Sequence, residues 1–216
     1  MVHMNMHMFG HRCLVERKTM KTNSSLFIPE AAEKNTHDTH RTGVVRFVGD
    51  GRKRGTAEAK EPLVKEGDMV LFQINQIMEA TQTYSHEGKA CMNLLQEELI
   101  ARIVGDDMDV TNLEMLGDYV LLKHFTRKQP GSLLILPDNA TRQSASEYIY
   151  FKLVKKGINV DLPITEGDEL VVNYGRLTPI FIMRRDASGG SHYDEYCYTR
   201  KDWIDGVVTP DDASKA

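Results

Sequence analysis

Apolar residues in this chain come in short runs and not at the three-to-four spacing of a helix face. Cys13-Leu-Val, Leu26-Phe-Ile, Gly43-Val-Val-Arg-Phe-Val and Met69-Val-Leu-Phe mark the first half. Tyr119-Val-Leu-Leu, Leu133-Leu-Ile-Leu, Tyr148-Ile-Tyr-Phe, Glu169-Leu-Val-Val and Pro179-Ile-Phe-Ile mark the second. These runs favour β-branched and aromatic residues, and Gly, Pro, Asn or Asp bounds most of them, which is the pattern of strands. The best helical stretch is about two turns around Gln96–Ile103, too short to organise a fold. The pattern predicts an all-β chain.

The runs also repeat. Lys65-Glu-Gly-Asp-Met-Val-Leu-Phe returns as Thr165-Glu-Gly-Asp-Glu-Leu-Val-Val, and Cys13-Leu-Val-Glu-Arg returns in style as Val120-Leu-Leu-Lys-His. Leu26-Phe-Ile-Pro-Glu has its counterpart in Leu134-Ile-Leu-Pro-Asp, and Leu95-Gln-Glu-Glu-Leu-Ile in Thr199-Arg-Lys-Asp-Trp-Ile. Four features in one order, offset by 100 to 108 residues, predict two copies of one β domain. The division read from sequence is an N-terminal arm over 1–10, a first domain over 11–105, a short acidic connector over 106–116, a divergent second domain over 117–208 and a tail over 209–216. A length of 216 residues is filled by two such domains.

Charge and composition narrow the function. With 27 basic and 31 acidic residues the net charge is −4, which argues against a basic surface for nucleic acid. Charged residues interrupt every apolar stretch before the roughly 18–20 residues a membrane helix needs. The start, MVHMNMHMFGHR, has neither the cationic n-region nor the apolar core of a signal peptide. Cys13, Cys91 and Cys197 are odd in number and far apart, so a disulfide framework is not expected and a reducing cytoplasm is. The methionines and histidines of the start (Met1, His3, Met4, Met6, His7, Met8, His11) are soft-metal ligand types, but without regular spacing they read as an arm, and no metal or cofactor is expected. Gly49-Asp-Gly-Arg-Lys-Arg-Gly follows a strand as a phosphate loop does. It lacks the Gly-Lys-Ser/Thr ending and a following helix, and reads as a surface turn. No Gly-x-Ser-x-Gly or His-Glu-x-x-His set is present, so no catalytic residue is expected.

Over about 11–104 the motifs resemble the GroES-like co-chaperonin (chaperonin-10) family. Arg12-Cys-Leu-Val-Glu-Arg-Lys stands where that family has its first strand, followed by a loop ending in Leu26-Phe27-Ile28-Pro29-Glu30. Gly43-Val-Val-Arg-Phe-Val-Gly-Asp-Gly, Val64-Lys-Glu-Gly-Asp-Met-Val and Leu95-Gln-Glu-Glu-Leu-Ile-Ala-Arg-Ile then follow in the family's order. The second half carries a thinner version over about 117–208, with Lys155-Lys-Gly-Ile-Asn in place of the Gly-x-Gly turn. Neither loop has the family's Gly-Gly pair: Ser24-Ser25 and Ser132-Leu133 stand there instead.

The resemblance implies two tandem GroES-like β-barrels in a non-enzymatic co-chaperonin that forms a ring, expected to be a heptamer. Such a ring would cap a GroEL-like chaperonin through apolar loops and assist ATP-dependent folding. It names Leu26, Phe27 and Ile28 as the chaperonin-binding loop, with Leu134, Ile135 and Leu136 as a second candidate loop, and Gly49, Asp50 and Gly51 as the turn leading into the dome's roof. Pattern alone reads both tripeptides as ordinary strands. No nucleic-acid or membrane partner is implied. Tandem members of this kind occur in plastids and divergent ones in bacteriophages, where the compartment would be the host cytoplasm. The alternative is a structural protein on the same fold, such as a virion decoration or connector component, motivated by the missing Gly-Gly hinges and the thinner second copy.

Overall fold

The computed structural model describes residues 8–18, 38–52, 59–75, 82–105, 109–124, 148–185 and 191–208. Among these the chain is all-β, in two sheets. The first contains β1 (Arg12–Lys18), β2 (Asp38–Val48), β3 (Met69–Asn75), β4 (Thr83–His86), β5 (Lys89–Leu95), β6 (Leu99–Ile103) and β7 (Leu113–Met115), in the order β4-β5-β1-β2-β3-β6-β7. The second contains β8 (Tyr119–His124), β9 (Tyr148–Lys156), β10 (Glu169–Asn173), β11 (Thr178–Arg185), β12 (Ser191–Arg200) and β13 (Ile204–Val208), in the order β11-β12-β8-β9-β10-β13. Strand for strand, the second sheet repeats the first up to β6. Two compact units result, Met1–Gly117 with Met183–His192, and Asp118–Ile182 with Tyr193–Ala216. Among the described residues no helix is long and apolar enough to cross a membrane.

The short apolar runs work because alternate residues of each strand face one interior. In the first unit Cys13, Val15, Val45, Val70, Phe72, Met92, Leu94 and Leu99 form one buried cluster. In the second, Val120, Leu122, Phe151, Leu153, Leu170 and Val172 do the same. The repeat extends to single hydrogen bonds. Gly67 N–H donates to Val45 O and Val45 N–H to Asp68 O, each at 2.9 Å. Gly167 N–H donates to Leu153 O and Leu153 N–H to Asp168 O, each at 2.8 Å. Register shifts fall between Leu14 and Val15 in one sheet and between Leu121 and Leu122 in the other.

Two expectations change. The helix around Gln96–Ile103 is instead a single 3-10 turn, Gln96–Glu98, followed by β6. Leu99, Ile100 and Ala101 are all buried, and β6 lies between β3 and β7, so this apolar run is a strand covered on both faces. Within the segment read as connector, Leu113–Met115 forms β7, paired with β6 through Ala101, Arg102 and Ile103.

Candidate functional site

The two apolar tripeptides, Leu26–Ile28 and Leu134–Leu136, lie outside the described residues. Their places in the chain are equivalent: one falls between Lys18 of β1 and Asp38 of β2, the other between His124 of β8 and Tyr148 of β9. The strands that carry those connections are described, and they define the frame of the site. At the end of β1 the Thr42 hydroxyl donates to the Lys18 carbonyl at 2.8 Å.

Two residues back along β1, the side chain of Glu16 is only 10% exposed. It meets Arg46 of β2 and, at 3.2 Å, Lys89 of β5. Burial pushes its carboxyl up, but the hydrogen bonds and charges of Arg46 and Lys89 outweigh this and hold it below the ordinary glutamate value. The carboxylate thereby ties β1 to both its neighbours. At the matching place on β8 the sign is opposite. Lys123 lies 3.5 Å from Asp194 of β12, with its ammonium 5.2 Å from the centre of the Tyr196 ring.

Gly49, Asp50 and Gly51 form a closed turn after β2. Gly49 N–H donates to Arg12 O (2.8 Å), Gly51 N–H to Gly10 O (3.2 Å) and Lys60 N–H to Gly51 O (3.0 Å). Arg52 and Ala59 form one further antiparallel bridge beyond this turn. Asp50 Oδ1 accepts from the backbone N–H of Gly10 (2.9 Å) and of Arg52 (3.1 Å). These two bonds, Arg52 first, hold its carboxyl below the usual range. A Cβ on Gly49 would come 2.1 Å from Gly10 O, and one on Gly51, where φ is +71°, would come 2.0 Å from Lys60 O. Glycine is required at both. Arg52 is held by this bridge, while Lys53 and Arg54 lie outside the described residues.

Burial, reinforced by Glu98, pushes the Cys13 thiol up to about 12, and burial with Glu195 pushes Cys197 up to about 11. Cys91 is raised too, chiefly by burial. Thiols held protonated in this way are poor nucleophiles. Among the described residues no cluster of three or more His, Cys, Asp or Glu side chains is placed to hold a metal ion. Sequence reasoning missed the Glu16–Arg46–Lys89 group. A lone acid inside the apolar strand Cys13-Leu-Val-Glu-Arg is the one signal that could have pointed to it.

The fold therefore defines a class: all-β domains of one strand order, each with a long connection between its first two strands. The family model of the chaperonin 10 kDa subunit matches residues 5–103. Over 66 residues the chain is 36% identical to the co-chaperonin GroES of Staphylococcus haemolyticus, an alignment that takes in 30% of this chain and 65% of that protein. The chain thus spans just under two thirds of the length of that curated relative. It is over residues 5–103, just under half of the chain, that the sequence is similar to the chaperonin 10 kDa subunit family.

Proposed function

We propose that this protein is a co-chaperonin: an oligomer, heptameric in its first domain, that caps a GroEL-like chaperonin ring and assists ATP-dependent folding. The observation that carries this reading is the match of residues 5–103 to the chaperonin 10 kDa subunit family model, together with the Lys18–Asp38 connection that holds Leu26, Phe27 and Ile28. These three side chains would enter an apolar groove on the chaperonin. Burying them yields roughly 5–9 kcal/mol gross. Ordering a loop of about eight residues costs a similar amount. A single loop therefore binds weakly, and useful affinity requires several copies on one ring. Leu134, Ile135 and Leu136 are secondary anchors in the same scheme, and Gly49, Asp50 and Gly51 lead toward the roof. ATP hydrolysis belongs to the chaperonin, so this chain needs neither nucleotide nor metal, and the reading places it in the cytoplasm.

The test is an ATP-dependent pull-down with a GroEL-type chaperonin, comparing wild type with Phe27→Asp. Wild type should be retained with ATP and released without it, and Phe27→Asp should lose binding at least tenfold, since a carboxylate in an apolar groove costs more than about 1.4 kcal/mol. Absence of binding, or binding indifferent to the substitution, overturns the reading in favour of a structural role for the fold.

A further inference from the structure

The chain repeats one more feature, just ahead of the first strand of each domain. Met6-His7-Met8-Phe9-Gly10 precedes β1 as Leu113-Glu114-Met115-Leu116-Gly117 precedes β8, both apolar-polar-apolar-apolar-Gly, at an offset of 107 residues. Hydrogen bonds keep the same offset. Gln96 N–H donates to His11 O (3.0 Å) where Lys201 N–H donates to Asp118 O (2.9 Å), and Gly49 N–H to Arg12 O where Gly157 N–H donates to Tyr119 O, both at 2.8 Å. Gly10 and Gly117 both take positive φ, +71° and +52°.

The two phrases are placed differently. Leu113–Met115 is β7, which covers the edge of β6, and Leu116 is 6% exposed in the first unit's apolar cluster. Phe9, the equivalent of Leu116, is 76% exposed. Met6 and His7 lie outside the described residues. The edge equivalent to β6 is bare as well. β13 pairs with β10 as β6 pairs with β3, with the register shift at the same place, so that Asp205 matches Ile100 and Val207 matches Arg102. Among the described residues β13 ends its sheet. Leu99, Ile100, Ala101 and Ile103 of β6 are buried, whereas no residue of β13 is, and Val207 is exposed. An edge with unpaired N–H and C=O groups and apolar side chains is a template for another strand.

We propose that β13 is the docking edge for residues 6–9 of a second copy of this chain, which add to it antiparallel as β7 adds to β6. Met8 then pairs with Gly206, His7 with Val207 and Met6 with Val208, as Met115 pairs with Ala101, Glu114 with Arg102 and Leu113 with Ile103. Phe9 leaves water for the second unit's apolar cluster, as Leu116 does for the first. In this chain the segment that leads the second domain closes the edge of the domain before it. By the same relation the segment that leads the first domain closes a second domain belonging to the copy before it. The β6 edge is already filled by β7 of the same chain, so copies join second unit to first, head to tail. The proposal rests on the co-chaperonin reading only for the premise that copies associate.

Leu116 N–H donates to Ile100 O (2.9 Å) and Val104 N–H to Asn112 O (2.8 Å). By alternation the N–H of Arg102, between them, faces β7, and that of Val207 faces the free edge. Val207→Pro therefore removes one edge donor and leaves the ladder to β10 intact. Size-exclusion chromatography with light scattering on the full chain should show the wild type as an oligomer, with association weakened about tenfold or more in Val207→Pro and in Phe9→Asp. The double variant Met8→Cys/Gly206→Cys puts two thiols on one cross-strand pair, and open space surrounds the missing Cβ of Gly206. On a non-reducing gel it should oxidise to chains linked to one another, as neither single variant does, which keeps the test decisive if Val207→Pro fails to fold. A monomeric wild type, an oligomer indifferent to both substitutions, or a double variant that stays unlinked or closes within one chain overturns the proposal. Phe27→Asp should leave assembly and cross-linking unchanged. If the cross-link forms while the chaperonin pull-down fails, only the co-chaperonin reading falls.

Discussion

At the scale of single residues, Glu16 and the glycines of the Gly49–Gly51 turn make the clearest demands. The depressed pKa of Glu16 means that its contribution to stability is complete above the ordinary glutamate range and drains away as pH falls through that range to the lowered value. The first unit should therefore lose stability on acidification from about pH 5 toward pH 3. Glu16→Gln should lower its stability at neutral pH by about 1–2 kcal/mol and flatten that pH dependence, as denaturant midpoints at several pH values will show. If the mutant and wild-type profiles stay parallel, the ion group is not what titrates. The glycines separate two kinds of cost. Gly67 has φ +90° with open space around the missing Cβ, so Gly67→Ala should cost about 1 kcal/mol from backbone conformation alone. Gly51→Ala adds a collision with Lys60 O, and should cost about 3 kcal/mol or more in the same denaturant titration.

At the scale of elements, the paired turns before β3 and β10 show why local motifs are legible in sequence. In each, an aspartate accepts from a backbone N–H three residues earlier: Asp68 from Lys65 at 2.9 Å, Asp168 from Thr165 at 2.7 Å. The glycine before it takes positive φ. A Glu-Gly-Asp phrase contains all of this within four residues. Asp68 has in addition a longer-range partner, Arg102 of β6 at 3.6 Å. Asp168→Ala should thus cost about 1 kcal/mol and Asp68→Ala about 2 kcal/mol, each measured by chemical denaturation. Equal losses would show that the Arg102 contact contributes nothing. The same logic explains the misread element. Gln96–Ile103 has helical residue types but is committed to extended structure by contacts from elsewhere. Leu63 N–H donates to the Gln96 side-chain oxygen at 2.7 Å, and Leu99 pairs with Phe72. Neither partner lies near enough in sequence to be read from the segment itself.

For the whole molecule, the expectation from an apolar cluster within each unit among the described residues is two cooperative transitions. Phe72, fully buried in the first cluster, should cost about 3–5 kcal/mol when replaced by alanine. Trp203, the chain's single tryptophan, sits in the second unit with its ring 4.2 Å from the Arg176 guanidinium. In Phe72→Ala the far-UV circular dichroism should show an earlier first transition, while the Trp203 fluorescence midpoint stays where it is. A fluorescence midpoint that moves by the same amount would mean that the chain unfolds as one unit.

What the sequence determined by itself was the all-β class, the doubling of the unit, the turn chemistry and the family resemblance of the first half. Each of these rests on neighbours a few residues apart: alternation within a strand, Gly and Asp within a turn, a phrase and its copy. Tertiary structure alone decided the common strand order, the strand identity of Leu99–Ile103 and the addition of β7. It also decided that Glu16 meets cations 30 and 73 residues away while its counterpart Lys123 meets Asp194. Pairings over such distances follow from how the sheet closes on its core. A charge written into a strand has no partner until closure brings one to it.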